Sequence, residues 1–250
     1  MTNPLTYLRR APLRRTLEGA GAIWSCLGDT AVAASVPASG LATGAVATGG
    51  LFLGDLSALP RLGFKGRGTI AAMKARGVTV EAEPNTAFIQ PNGSMCLVLA
   101  PGEVILLGDP LVANAQGHAA TYDKMLESWK LDDEERTYPL LRRDSHAWFV
   151  LGGARAPAML AKISAIDFRP HKFENHSIAQ TSVAKMSAIV TRSDIGVTNT
   201  FHLLADSAAA LYFWTSLMDA AHEFGGQIVG LTALQELSLH VKTRRSQIET

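Results

Sequence analysis

Aspartate, serine and histidine stand side by side in Arg143-Asp-Ser-His146, the three side-chain types of a nucleophilic triad. A triad needs its members to converge in space, not in sequence. At strand spacing neighbouring side chains point to opposite faces, so Ser145 and His146 are expected to diverge, and the quartet reads as the start of a strand. His171 and His176 have metal-ligand chemistry, yet a zinc site needs at least three protein ligands and no third is evident nearby. A polar turn explains them. Gly63-Phe-Lys-Gly-Arg-Gly68 could cradle a phosphate with Lys65 and Arg67 beside it, although glycines at a strand-to-helix turn also serve backbone geometry, and that reading is preferred. Trp129, Trp148 and Trp214 could stack on a planar ligand, but at amphipathic positions they read as core or interface anchors. No GxGxxG follows a strand, and neither a GxxxxGK[ST] loop nor a Gly-x-Ser-x-Gly elbow occurs. The residues therefore nominate no catalytic, cofactor-binding or metal-binding position.

The elements that would position such residues begin at Leu51, where short apolar runs start to alternate with helical patterns. Leu62–Gly66 suits a strand, and Thr69–Arg76 a helix that Gly77 ends. Pro91-Asn-Gly93 marks a turn between strands at Thr86–Ile89 and Met95–Leu99, and Ala100-Pro-Gly102 leads into a third at Val104–Leu107. His118–Leu131 has Tyr122, Met125, Leu126 and Trp129 on one helical side, and Asp132-Asp-Glu-Glu-Arg136 reads as a solvated boundary. His146–Leu151 is a strand, and Ala154–Ile163 is a helix with Pro157 in its first turn. Strands follow at Gln180–Met186, Ser187–Arg192 and Thr200–Leu204, with a turn at Asp194-Ile-Gly196. Asp206 or Ser207 then caps a helix running to Phe224, stopped by Gly225-Gly226. This order predicts an α+β fold of two ferredoxin-like lobes: an extended N-terminal arm over 1–50, a first lobe over 51–136 and a second over 137–250.

Composition bounds the function. In 250 residues, 47% are hydrophobic and 18% charged, as in an ordinary globular chain able to bury a sizeable core. With 23 basic and 22 acidic side chains the net charge is +1, which offers no global attraction to nucleic acid. Cys26 and Cys96 form neither a Cys-x-x-Cys pair nor a disulfide framework, which suits a reduced cytoplasm. Arg9, Arg10, Arg14 and Arg15 interleave with leucines before the first acid at Glu18. That loosely resembles an organellar presequence, but serine is absent before Ser25, and a basic docking arm is the preferred reading. The uncharged run outside the acids, Thr30–Gly54, is long enough to span roughly 30 Å of bilayer. Its Ala, Gly, Ser and Thr content with Pro37 lacks the density of large apolar residues that insertion requires. It reads as a flexible arm lying on another protein surface, so that deleting residues 2–50 should weaken assembly without unfolding the body.

The segment Gly230-Leu-Thr-Ala-Leu-Gln-Glu-Leu-Ser-Leu-His240 resembles the folate-binding signature of the aminomethyltransferase (T-protein) superfamily, roughly Gly-Leu-Gly-Ala-Arg-Asp-x-Leu-Arg-Leu-Glu. Gly230, Leu231, Ala233, Leu237 and Leu239 keep the apolar frame. Leu234, Gln235, Ser238 and His240 stand where the resemblance puts Arg, Asp, Arg and the pterin-anchoring Glu. Within that superfamily, several segments in order resemble the gamma subunit of heterotetrameric sarcosine oxidases. They include Asp55-Leu-Ser-Ala-Leu-Pro-Arg-Leu-Gly-Phe-Lys-Gly66, Leu99-Ala-Pro-Gly-Glu-Val-Ile-Leu-Leu-Gly108, Arg143-Asp-Ser-His-Ala-Trp-Phe-Val-Leu-Gly152 and Asp219-Ala-Ala-His-Glu-Phe-Gly225. Two departures stand out: the stretch before Leu51 is longer than the pattern, and Val104 replaces a common aromatic.

The resemblance implies a non-catalytic subunit of a flavin-dependent N-methyl amino acid oxidoreductase, of the sarcosine oxidase or N-methylglutamate dehydrogenase type. Larger partner subunits would hold FAD, FMN, NAD and tetrahydrofolate, a small zinc-binding subunit would complete the complex, and neither nucleic acid nor membrane would be a partner. Such complexes pass the methyl carbon on as formaldehyde or methylene-tetrahydrofolate. The alternative is a free-standing folate-dependent one-carbon transferase or repair protein, for which His240 is a weak substitute for an ionised Glu. A pure interaction module remains a third reading, since fold does not fix function.

Overall fold

The computed structural model describes residues 3–37, 50–111, 116–130 and 134–248, with 116–120 and 240–248 as backbone only. Near the N-terminus β1 (Arg9–Arg10), α1 (Arg14–Gly19), β2 (Ile23–Leu27) and β3 (Thr30–Ser35) form a unit whose sheet runs in the order β1-β3-β2. After β4 (Phe52–Asp55), the first lobe comprises β5 (Arg61–Lys65), α2 (Thr69–Ala75), β6 (Thr86–Ile89), β7 (Met95–Ala100), β8 (Glu103–Leu107), α3 (Gln116–Glu127) and β9 (Tyr138–Leu140). The second comprises α4 (Arg142–Ser145), β10 (His146–Gly152), α5 (Ala156–Leu160), β11 (Ile178–Val183), β12 (Met186–Arg192), β13 (Thr200–Asp206), α6 (Ala210–His222), β14 (Gln227–Val229) and α7 (Leu231–Ile248). The strands make sheets of order β6-β7-β8-β5-β9 and β11-β12-β13-β10-β4-β14.

The period of two along each strand sorts the core into layers. In β7 and β8, Cys96, Val98, Val104 and Leu106 face α2 and α3, where they meet Met73 and Tyr122. Their neighbours Met95, Leu97, Leu99, Ile105 and Leu107 face the other lobe. In β10, Phe149 and Leu151 face α5 and α6, while Trp148 and Val150 turn back toward the first lobe. The result is helices, sheet, shared apolar layer, sheet, helices. Backbone bonds stitch the sheets together at one end, where Ala87 N–H donates to His176 O and Ile178 N–H to Asn85 O.

The α+β class is as expected, and three details differ. First, the N-terminal arm is not extended: Leu13, Leu17, Trp24, Ala31 and Ala33 are buried in the core of the second lobe. Deleting residues 2–50 would strip that core, so the body is expected to lose stability. The bland run divides accordingly, with Thr30–Ser35 forming β3, while residues 38–49 lie outside the described residues. Second, the lobes interchange strands. β4 pairs with β10 and β14 in the second sheet, and β9 pairs with β5 in the first, so neither the 50/51 nor the 136/137 division follows the sheets. Third, the hairpin after β11 turns at Ala184-Lys185, not after Met186.

No helix among the described residues is long and apolar enough to cross a membrane. Part of the expected solvated boundary, residues 131–133, lies outside the described residues. Within it Glu135 is tethered to Arg76 at 3.1 Å.

Candidate functional site

The segment resembling a folate signature forms the start of α7. Gly230 is required at its head because a Cβ there would sit 2.2 Å from the Ala34 carbonyl oxygen of β3. Leu234 and Leu237 are then buried in the layer between the sheets, beside side chains such as Leu56 and Trp148. The apolar frame thus has a packing role. At position 234, where the resemblance expects an arginine, a leucine completes the core, and Gln235 and Ser238 are half-buried. The side chain of His240 lies outside the described residues.

Ser145 and His146 do not diverge. Ser145 ends the helical turn α4, so strand alternation does not apply to the pair, and its Oγ lies 2.9 Å from His146 Nδ1. The contact is not that of a nucleophile and its base. Arg142 Nη1 stands 3.3 Å from the other ring nitrogen, Nε2, and a guanidinium can only donate. Nε2 therefore accepts, Nδ1 carries the proton, and the ring donates to the serine. Burial, then the charges of Arg142 and Arg61, push the His146 pKa down to about 4, which keeps the ring neutral. Arg142 is in turn held by Glu103.

The other candidates also resolve into structure. A Cβ on Gly66 or Gly68 would sit 1.8 Å from the carbonyl oxygens of Arg136 and Glu135 respectively, so these glycines admit the 135–137 segment against the strand-to-helix turn. Lys65 is paired with Glu103 at 2.8 Å. His176 adopts a left-handed backbone (φ 71°) and serves through its main chain, receiving the inter-sheet bond from Ala87. No cluster of three or more His, Cys, Asp or Glu suited to a metal occurs among the described residues. Trp148 and Trp214 are core residues. Trp129 carries the Arg76 guanidinium over its ring at 3.9 Å and packs against Phe64 with the rings tilted, centroids 4.4 Å apart.

What the sequence reading missed is a cleft of about 350 Å³ where the N-terminal unit meets the two lobes, bordered by Arg9, Arg10, Arg61 and Arg143, with Asp144 as its one acidic side chain. β1 brings Arg9 and Arg10, β5 brings Arg61, and α4 brings Arg143. Arg61 is 3% exposed, and its N–H groups go to main-chain carbonyls, including Leu59, Arg143 and His146 at 2.8 Å each. Burial lowers its pKa to about 10, so the guanidinium remains charged at neutral pH. Asp29 is shared by Arg9 (3.2 Å) and Arg143 (2.9 Å), and Asp144 pairs with Arg9 at 2.5 Å. Burial acts to raise the Asp29 pKa, but the Thr30 hydroxyl and the two arginines outweigh it and hold the carboxylate below its usual range. The interleaved arginines near the N-terminus were the available sequence signal, but nothing in the spacing joined them to residues 61 and 143.

Comparison with known proteins identifies the architecture. The family model of the GCVT N-terminal domain matches residues 109–249. The chain belongs to that family. Among solved structures, this GCVT-domain chain is similar to aminomethyltransferase T of the glycine cleavage system from Bartonella henselae, at 17% identity and a TM-score of 0.68. That alignment covers 93% of this chain and 62% of the Bartonella chain, so the GCVT-domain chain spans less than two thirds of that relative. It is also similar to a chain of heterotetrameric sarcosine oxidase from Corynebacterium sp. U-96 in complex with pyrrole 2-carboxylate. Here the identity is 20% and the TM-score 0.58, with 87% of this chain and 97% of that chain covered. The comparison with curated protein sequences gave no match. At these identities the likenesses show the aminomethyltransferase-like fold.

Proposed function

We propose that this chain is a non-catalytic, gamma-like structural subunit of a flavin-dependent heterotetrameric N-methyl amino acid oxidoreductase, of the sarcosine oxidase or N-methylglutamate dehydrogenase type. The observation that carries the reading lies in the signature helix: at position 234, where the resemblance expects an arginine, Leu234 is buried in the core. The likeness to a chain of a heterotetrameric sarcosine oxidase over 87% of this chain supports it, and so does the Ser145–His146 contact, whose ring proton sits on the nitrogen facing the serine. In this reading FAD, FMN, NAD and tetrahydrofolate belong to larger partner subunits, and a small zinc-binding subunit completes the assembly. A tagged pull-down from the native host tests it, with the visible spectrum and subunit masses of the eluate recorded together. The expected eluate is yellow, with two larger chains and one very small one, whereas a colourless solitary chain would overturn the proposal.

A second reading, a folate-dependent one-carbon transferase, is favoured by the family match over residues 109–249. Titrating tetrahydrofolate into the purified chain separates the two. The subunit reading expects no saturable binding, and micromolar affinity would favour the transferase.

A further inference from the structure

The arginine-lined cleft has a charge balance that its own carboxylates do not close. Asp29 and Asp144 are divided between Arg9 and Arg143. Arg61 is surrounded by carbonyl dipoles, which satisfy its hydrogen bonds without cancelling its charge, and the electrostatically nearest acid is the buried Asp55. Burial raises the Asp55 pKa, and so works against its ionisation. Arg10 is exposed and borders the cleft; its backbone is held by pairing with β3, and its side chain makes no ion pair or hydrogen bond among the described residues. Arg9 spends Nε and Nη1 on its two aspartates, and Arg143 spends Nη2 on Asp29 and Thr30, leaving further N–H donors on each. The guanidinium fork matches oxyanion geometry, and a cleft near 350 Å³ falls at the lower end of small-ligand sites.

We propose that this cleft is a binding site for a small oxyanion, a carboxylate or a phosphate, gripped by Arg9, Arg10 and Arg143 over the buried charge of Arg61. The site draws on the N-terminal unit and both lobes, so an occupied cleft ties the three together. The proposal does not depend on the subunit reading, because the residues and the cleft belong to this chain alone.

The test is titration of the purified full chain at constant ionic strength with sodium phosphate, succinate or chloride, monitored by calorimetry and by thermal midpoint. Saturable binding of phosphate or succinate, absent with chloride, is the expected result, and whichever oxyanion binds more tightly identifies the source. Arg10→Gln removes a side chain that makes no contact needed for folding and should weaken binding about tenfold. Lys185→Gln makes the same charge change on a distant hairpin and should leave affinity unchanged. No saturable binding up to about 20 mM, or equal losses in the two variants, would overturn the proposal. In the second outcome the anion responds to net charge and not to this cleft.

Discussion

Trp148 donates its indole N–H to His202 Nδ1 at 3.1 Å, in the apolar layer between the sheets. An acceptor at that nitrogen requires a neutral ring, and burial drives the His202 pKa down to about 4 from an ordinary value near 6.5. The unfolded chain therefore binds a proton more readily than the folded one between those values. Stability contributed by the neutral ring is fully present above about pH 6.5 and is lost as the pH falls toward 4. Urea midpoints measured at pH 7 and pH 4.5 should show this loss. His202→Gln keeps an acceptor without a titrating ring and should make the dependence shallower, leaving the part due to His146, and an unaltered slope would reassign it to other groups. None of this could be read from Trp148 or His202 alone, since 54 residues separate them and only the β10–β13 register brings them together. Ser145 and His146 show the opposite difficulty. They are adjacent, but their relation turned on whether α4 or the strand claimed Ser145.

At the scale of elements, strands with large alternating side chains were legible. The pattern of Met95–Ala100 and His146–Gly152 fixes two faces whatever lies above them. β3 was not legible, because the alanines of Thr30–Ser35 give little contrast between faces. Ala31 and Ala33 are buried in the same core cluster as Leu13 and Leu17, a placement that tertiary packing decides and the local pattern does not. The β11–β12 turn was misplaced for a related reason: Ala184 (φ 50°) and Lys185 (φ 64°) adopt left-handed backbones that glycine or asparagine would normally advertise. Lys185→Gly relieves one of these conformations on an exposed residue and is expected to stabilise the chain by about 0.5–1 kcal/mol, readable as a raised denaturant midpoint. A loss of stability would mean that the lysine side chain contributes more than its backbone costs. The loop beyond β12 depends on a nearly buried pair. Arg192 reaches Asp194 at 2.9 and 2.5 Å and also donates to the Phe173 carbonyl. Asp194→Ala leaves that cation without its counter-charge and should cost about 3 kcal/mol. A change within about 0.5 kcal/mol would show that solvent reaches the guanidinium after all.

For the whole molecule, the sequence order of strands and helices sufficed for an α+β assignment but not for the interchange of β4 and β9 between sheets, since strands of only three or four residues carry almost no pattern of their own. The N-terminal unit tests this larger architecture. Leu13 is fully buried against the second lobe, so Leu13→Ala should destabilise the entire chain in a single transition, by about 2–5 kcal/mol. Separate melting of a small unit ahead of an unchanged main transition would instead make residues 3–37 an independent appendage. The seat of Gly230 on the Ala34 carbonyl also has a consequence in time. Ribosomes deliver β3 almost 200 residues before the helix that closes over it, so during synthesis Leu27 and Val32, which share an apolar layer with Leu234 and Leu237 of α7, wait without their cover. Nascent chains of this protein should therefore be clients of general chaperones until α7 has left the exit tunnel, however stable the finished fold.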